Sequence, residues 1–427
     1  MKTIAVRPIR PSPPCRPRVS RCRALATLTL TLGLLGVVPR AQAVEPAPAP
    51  ARVELVQSAP IETTLAEPGL RFAKDVWVEL INDAKSTIDI AQFYLANTPS
   101  KDSDLEPVIV ALERAAARGV KVRVLVSDKM VKQDQTTFER IKAIRALQVK
   151  TYDLSKLTGG ILHAKYWVVD HAEIYVGSQN FDWRSLTHIQ ETGLRVRDAH
   201  LAHELSRIFD TDWQIADSGA KPSAFPPSAT TGPASIVPGD LELVASPPEL
   251  TPPGIRSALP ALLELIGGAT KTLRIQVLEY APTTKYDSGR WGDIDDALRA
   301  AAKRGVRVEL LVSDWNTDKG VIGGLEALQG VANFTVKVIT LPLASQGFIP
   351  FARVCHSKYM VVDDATLWVG TSNWSKGYFT SLRNVELIVK QKSLAAEAAS
   401  LFARLWNSSY SEVFNAAKRY PKPRKGG

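Results

Sequence analysis

From Val53 onward, short runs of aliphatic, β-branched and aromatic residues alternate with longer stretches whose apolar positions recur every three to four residues. The first pattern is that of buried strands and the second that of amphipathic helices, so their alternation predicts an α/β architecture. Val76 to Ala84 reads as a helix, Thr87 to Tyr94 as a buried strand, Leu105 to Arg118 as a helix ended by Gly119, and Val120 to Ser127 as a strand. Phe138 to Leu147 reads as a helix and Lys150 to Asp153 as a short strand; a hairpin follows, and Ala199 to Trp213 reads as a closing helix. Residues 217–240, rich in Pro, Ser and Thr, have linker composition.

Beyond the linker the series repeats. Tyr94, Arg118-Gly119-Val120 and Leu125-Val126-Ser127-Asp128 reappear 186 residues later as Tyr280, Arg304-Gly305-Val306 and Leu311-Val312-Ser313-Asp314. The stretch from His163 to Asn180 reappears 193 residues later, from His356 to Asn373, which puts an insertion of about seven residues near Leu341 to Arg353. A duplication predicts two similar lobes, 53–216 and 241–417, packed about a pseudo-twofold axis as an isologous dimer packs.

Both copies of the long stretch carry one polar set at one spacing. His163, Lys165, Asp170, Gly177, Ser178 and Asn180 match His356, Lys358, Asp363, Gly370, Thr371 and Asn373. In an extended segment residues i and i+2 project together, so each copy presents a His and a Lys on one side. A lone strand His is more often a hydrogen-bonded core residue, and a lone Lys a surface charge. A six-position set occurring twice is not explained by packing.

Composition and charge change this picture little. The chain has 427 residues, is 45% hydrophobic and has a formal charge of +10, enough to bury two cores and unlike a disordered or collagen-like chain. Eight Lys or Arg and no acidic residue lie in residues 1–43. Without them 45 basic residues face 43 acidic ones, so net charge alone does not argue for a polyanion partner. The same 43 residues combine a basic start, the apolar run Ala24 to Val38 and Ala41-Gln42-Ala43. This is the pattern of a secretory signal cleaved near Ala43, followed by a Pro/Ala-rich spacer over 44–52. An uncleaved anchor or a transit peptide is the competing reading. Cleavage would leave Cys355 as the remaining cysteine, so no intrachain disulfide is expected, and no His or Cys spacing suggests a metal cage. The basic segment 418–427 reads as a solvated end.

Two imidazoles and two lysines suit attack on a phosphodiester. One imidazole can attack phosphorus to give a phosphohistidine while the other protonates the leaving oxygen. Lys165, Lys358, Ser178, Thr371, Asn180 and Asn373 would hold the phosphate oxygens. Each imidazole needs its second nitrogen held by an acceptor. Glu191 and Glu386, eleven and thirteen residues past the motif asparagines, are the expected partners. Asp170, Asp363, Gly177 and Gly370 are expected to be structural. Neither a metal nor a cofactor is implied.

The duplicated pattern resembles that of the phospholipase D superfamily, over a span from Val53 to Tyr410. The resemblance implies two α/β/α sandwich lobes around one active site, a metal-independent phosphohistidine mechanism, His163 as nucleophile and His356 as general acid and base. Lys156-Leu157-Thr158, Leu162 to Asp170, Phe181 to Thr187, Ile349 to Val354 and Gly370 to Ser375 are similar to the animal lysosomal phospholipase D-like 5′ exonucleases and their poxvirus relatives. That branch implies single-stranded DNA or RNA as substrate. The chain lacks the branch's cysteines and is expected to carry a cleavable signal in place of its membrane anchor, which favours a secreted or periplasmic setting. Aromatic platforms are expected beside the phosphate of a single strand. Phe93, Tyr94, Trp183, Phe348, Phe351, Trp374, Tyr378 and Phe379 flank the motifs, with Phe348, Phe351, Tyr94 and Trp374 as candidate substrate-binding residues. The alternatives are a phospholipase D or transphosphatidylase acting on phospholipid, and a non-catalytic binding protein using the basic tail. A homodimer is compatible with all three.

Overall fold

The structure is a computed structural model describing residues 52–98, 103–221, 223–225, 239–283 and 289–426. The expected signal segment, the spacer up to Ala51 and the middle of the linker lie outside the described residues. No helix among the described residues is long and apolar enough to cross a membrane.

Most elements fall where the periodicity predicts, with two shifts. The helix expected over Phe138 to Leu147 spans Gln135–Lys142. The Asp134 carboxylate starts it early by accepting from the Thr137 amide at 2.9 Å, and Leu147 already opens the strand Leu147–Tyr152. The helix expected over Ala199 to Trp213 continues to Ser218 and stops at Gly219, whose φ of 66° ends it without a Cβ penalty.

Apart from a separate two-stranded pair, Leu95–Ala96 with Phe181–Asp182, the strands form two large sheets of one topology. In the first the order is Arg71–Phe72, Val53–Ser58, Glu191–Arg197, Glu173–Gly177, Tyr166–Val169, Thr87–Gln92, Lys121–Ser127, Leu147–Tyr152. In the second it is Arg256–Ser257, Leu241–Ser246, Asn384–Val389, Thr366–Gly370, Tyr359–Val362, Thr272–Val277, Arg307–Ser313, Phe334–Ile339, with Ser411–Val413 added at the edge. The motif strand and its hairpin partner sit mid-sheet in both, which makes them rigid.

Three layers of apolar packing follow. The outer face of the first sheet packs on the helices Ala73–Asp83 and Glu106–Ala117, and that of the second on Ala258–Gly268 and Asp293–Lys303. The inner faces share one core, in which Val168, Val176 and Phe209 of the first half join Val361, Val369 and Phe402 of the second. The helices Ala199–Ser218 and Lys392–Trp406 lie in that shared layer. Two sandwich lobes about one common core are therefore the architecture, and two independent domains are not.

Within the shared layer a fully buried ion pair joins the halves. Arg383 donates to Asp212 at 2.8 to 3.1 Å and to the carbonyls of Ser246 at 3.0 Å and Leu250 at 2.7 Å. Tyr152 donates to the same carboxylate at 3.0 Å.

The motif aspartates anchor the hairpins. Asp170 accepts from the amides of Lys85, Ser86 and Thr87 at 2.7 to 2.9 Å. Asp363 accepts from those of Thr270, Lys271 and Thr272 at 2.8 Å. Gly370 is required by close approach, since a Cβ there would lie 2.7 Å from the Val385 carbonyl oxygen.

Candidate active site

His163 and His356 each lie in extended chain just ahead of a motif strand, and each is anchored to the opposite half. The amides of His163 and Ala164 donate to the Arg383 carbonyl at 3.0 and 2.8 Å. The His356 amide donates to the Gln190 carbonyl at 2.8 Å. The imidazoles repeat the exchange. Nδ1 of His163 meets Asn384 Oδ1 at 2.9 Å, and Nδ1 of His356 meets Glu191 Oε1 at 2.5 Å. Backbone groups of Thr371 and Ser178 add a second hydrogen bond to His163 and His356 respectively. Neither half holds its own histidine in place, so the site is complete only when both are present.

The two ring partners differ in charge. Asn384 Nδ2 donates to the Tyr378 carbonyl at 2.9 Å, and Thr371 Oγ1 donates to Asn384 Oδ1 at 2.9 Å. With its amide oriented by that network, Asn384 presents an acceptor, and His163 carries its proton on Nδ1 with the Nε2 lone pair free. Glu191 can instead carry a negative charge beside an imidazolium.

Lys165 and Lys358 fold back to donate to the carbonyls of His163 and His356. Lys165 also lies over the Phe93 ring at 5.0 Å. Burial, then the two lysines, holds both imidazoles well below the ordinary 6.5. Burial, then Lys358, lowers Lys165 well below 10.5, and burial brings Lys358 down to about 7. Burial also raises Glu191 well above 4.5. The raised acid and the lowered bases share one cause, since burial disfavours every charged form.

The cavity above the imidazoles measures about 280 Å³ and is walled by both halves. His163, Asn180, Tyr94 and Phe93 face His356, Asn373, Tyr378, Trp315 and Phe351 across it. The His163 ring sits 5.0 Å from the rings of both Phe93 and Tyr378. Tyr94 donates to Asp182 at 2.8 Å, and Asn373 donates to the Tyr378 hydroxyl at 3.0 Å.

Several expected site residues lie elsewhere. Glu386 is buried, bonded to Ser372, and pushed up to about 8 by burial; neither imidazole is its partner. The strand register explains this. Ser58 pairs with Glu191 and Ser246 with Asn384, so Asn384 is the equivalent of Glu191, whereas Glu386 is the equivalent of Gly193. The hydroxyls of Ser178 and Thr371 bond the neighbouring strand at Thr192 and Val385, and neither residue lines the cavity. Trp374 is 1% exposed and packs edge-on against Trp368 at 6.1 Å, part of the core. Phe348 lies beneath the Arg424 guanidinium, 4.1 Å away, and is not in the cavity wall. The basic tail is solvated as expected over Lys418, Arg419, Lys422 and Arg424, which are exposed, but it touches the body at two points: Tyr420 stacks on Phe414 at 5.4 Å, and Phe351 N–H donates to the Lys425 carbonyl at 2.6 Å.

Asn384 and Arg383 are the functional residues the sequence pattern passes over. Placing the halves at the motif's own offset of 193 matches Glu191 with Asn384 and Gln190 with Arg383.

The family described as "Cardiolipin synthase, PLD-like domain" matches residues 77–213 and 262–406. The chain is 36% identical over 408 residues to the 5′-3′ exonuclease PLD3 of Macaca fascicularis, spanning 87% of this chain and 83% of that protein. It is 35% identical over 396 residues to the 5′-3′ exonuclease PLD4 of Mus musculus, spanning 84% of this chain and 78% of that one. Among solved structures, phosphatidylserine synthase of Haemophilus influenzae superposes with a TM-score of 0.56 at 13% identity, over 80% of this chain and 85% of that one. Polyphosphate kinase of Porphyromonas gingivalis superposes with a TM-score of 0.54 at 15% identity, over 86% of this chain and 49% of that one. These two likenesses establish the shared fold.

Proposed function

The chain belongs to the phospholipase D superfamily and is one of its phosphodiesterases, and we propose that it is an exonuclease degrading single-stranded DNA or RNA from the 5′ end. The observation that carries the mechanism is the unequal pair behind the imidazoles, neutral Asn384 on His163 and acidic Glu191 on His356. His163 Nε2 attacks phosphorus; the bond from phosphorus to the leaving oxygen breaks, and His356 gives that oxygen its proton. Water then attacks phosphorus and passes a proton to His356, and the phosphorus–nitrogen bond breaks to release His163. Glu191 steadies His356 while it is charged.

Lys165 and Lys358 supply positive charge from behind the imidazoles, and Asn180 and Asn373 line the cavity itself. No metal is assigned a step. The strand is favoured over phospholipid as substrate by the activity in the relatives' names and by the aromatic walls Phe93, Tyr94, Tyr378 and Phe351, which suit bases. Export is part of the proposal, supported by the basic, apolar, Ala-x-Ala pattern of residues 1–43.

One assay tests the reading. The protein is incubated with EDTA and either a 5′-labelled single-stranded oligonucleotide or phosphatidylcholine vesicles with ethanol. Stepwise loss of 5′ nucleotides, abolished in His163→Ala, is expected. Phosphatidylethanol formation with an intact oligonucleotide would replace the nuclease reading by the lipase one.

A further inference from the structure

Phe351 is the unusual wall of the cavity. It is 44% exposed although aromatic, and its φ of 59° is one that a bulky side chain adopts only when its surroundings hold it there. Two contacts do so from opposite sides. Arg184 of the first half donates to the carbonyl of the preceding Pro350 at 3.0 Å, and Phe351 N–H donates to the Lys425 carbonyl at 2.6 Å. Gly426 passes over the ring so closely that a Cβ there would lie 3.0 Å from its Cζ atom.

The passing segment is itself pinned. Arg424 covers Phe348 in the insertion at 4.1 Å. Lys425 Nζ lies 3.7 Å from Asp318 and 5.7 Å from the ring of Trp315, another wall of the cavity. Its charge is thus engaged by protein, and what the segment offers the cavity is the backbone that fixes Phe351.

We propose that Arg424-Lys425-Gly426 is a positioning strap of the substrate site, holding Phe351 as the platform on which the nucleobase next to the reacting phosphate stacks. The ligand class is a nucleobase, and the proposal rests on the exonuclease reading. A stack needs a ring held face-on before the base arrives, because a mobile ring loses in ordering what it gains in contact. Among the described residues the insertion near Leu341 to Arg353 and the strap have no counterpart in the first half, and they give the mouth its one-sided shape.

The test compares the full chain with a form ending at Lys422, with Arg424→Ala/Lys425→Ala, with Phe351→Ala and with the truncation combined with Phe351→Ala. Melting temperature checks folding in each. Substrates are an oligonucleotide and the same strand with an abasic sugar beside the scissile phosphate. The truncation and Phe351→Ala should each raise KM about ten-fold, the loss of roughly one base–aromatic stack, with kcat changing much less and no further rise in the combined form. The penalty should vanish on the abasic strand, and the point variants should show it at low and high salt alike. An unchanged KM in the truncated form, full additivity with Phe351→Ala, or a penalty that persists on the abasic strand overturns the strap while leaving the exonuclease reading intact. If the unaltered protein degrades no oligonucleotide, both fall.

Discussion

Glu191 and Asn384 occupy one register position in the two halves, 193 residues apart, and each hydrogen-bonds Nδ1 of the opposite half's motif histidine. One is a carboxyl and the other an amide. In a site built by duplication, this is the difference from which the proposed division of roles between the two imidazoles follows.

The first prediction exchanges that difference. Glu191→Gln should cut kcat on oligonucleotide by about 10² or more, the range for loss of general acid–base assistance. It should cost much less on a 4-nitrophenyl phosphodiester, whose leaving group needs no proton. Asn384→Asp places a carboxylate behind the nucleophile, favours its imidazolium and moves the acid limb of the rate profile up by about one unit or more. Equal damage to both substrates by Glu191→Gln, or an unmoved acid limb in Asn384→Asp, would refute the division of roles.

How far the sequence carries depends on the kind of contact. The strands, helices and duplication follow from local periodicity, and the motif residues meet because their spacing is repeated. Glu191 is also where its distance from Asn180 suggests. Asn384 carries no signal of its own, because an amide oxygen accepts as a carboxylate does and the 193-residue offset alone marks it as the equivalent of Glu191. Trp374 and Phe348 lie beside the motif in sequence yet face the core or the tail, and which face an aromatic presents is settled by long-range packing. The contact between Phe351 and Lys425 joins segments 74 residues apart and leaves no local trace.

The second prediction concerns the buried pair Asp212–Arg383, both side chains fully buried. Burial raises Asp212 against the opposing pull of Arg383, so the carboxylate is tolerated because its partner is there. Asp212→Ala strands a guanidinium in the shared core and should cost about 3–5 kcal/mol of stability, read by chemical denaturation. Because Arg383 also seats His163 through its carbonyl, activity should fall in parallel. The double change Asp212→Leu/Arg383→Met should recover most of the stability. A loss below about 1 kcal/mol in Asp212→Ala would show that the pair does not join the halves.

A third prediction separates structure from chemistry in the motif. Burial pushes Asp170 upward, but the amide bonds from Thr87, Lys85 and Ser86 together outweigh it, and its carboxyl lies below the ordinary value. A depressed carboxyl stabilises the fold above the unfolded-state pKa of about 3.9 and loses that contribution as pH falls through the folded value. Asp170→Ala should therefore destabilise by about 1–2 kcal/mol at pH 7, discounted for its partial exposure. The gap to the parent should close below about pH 4. A gap that stays constant to pH 3 would assign the loss to packing. Asp363→Ala should behave alike through Thr270, Lys271 and Thr272.

The last prediction is the pH range of the enzyme. Burial brings the free enzyme's Lys358 down to about 7, so it is charged below that pH and neutral above it. A phosphodiester anion binds the charged form, so KM for oligonucleotide should climb above pH 7, by up to about ten-fold per unit, since each unit of separation costs about 1.4 kcal/mol. The lowered pKa of His163 acts in the opposite sense, keeping the nucleophile unprotonated into the mildly acid range. Together they put the best kcat/KM on the acid side of neutrality. Binding of inorganic phosphate above pH 7 should draw a proton from solution, seen in calorimetry as a heat that varies with the buffer's ionisation enthalpy. Lys358→Arg, charged throughout, should bind less well but lose the alkaline climb in KM. A KM flat to pH 9 in the unaltered protein would mean that Lys358 stays charged in the empty site, and that burial there is offset by its carboxylate neighbours Glu191 and Glu279.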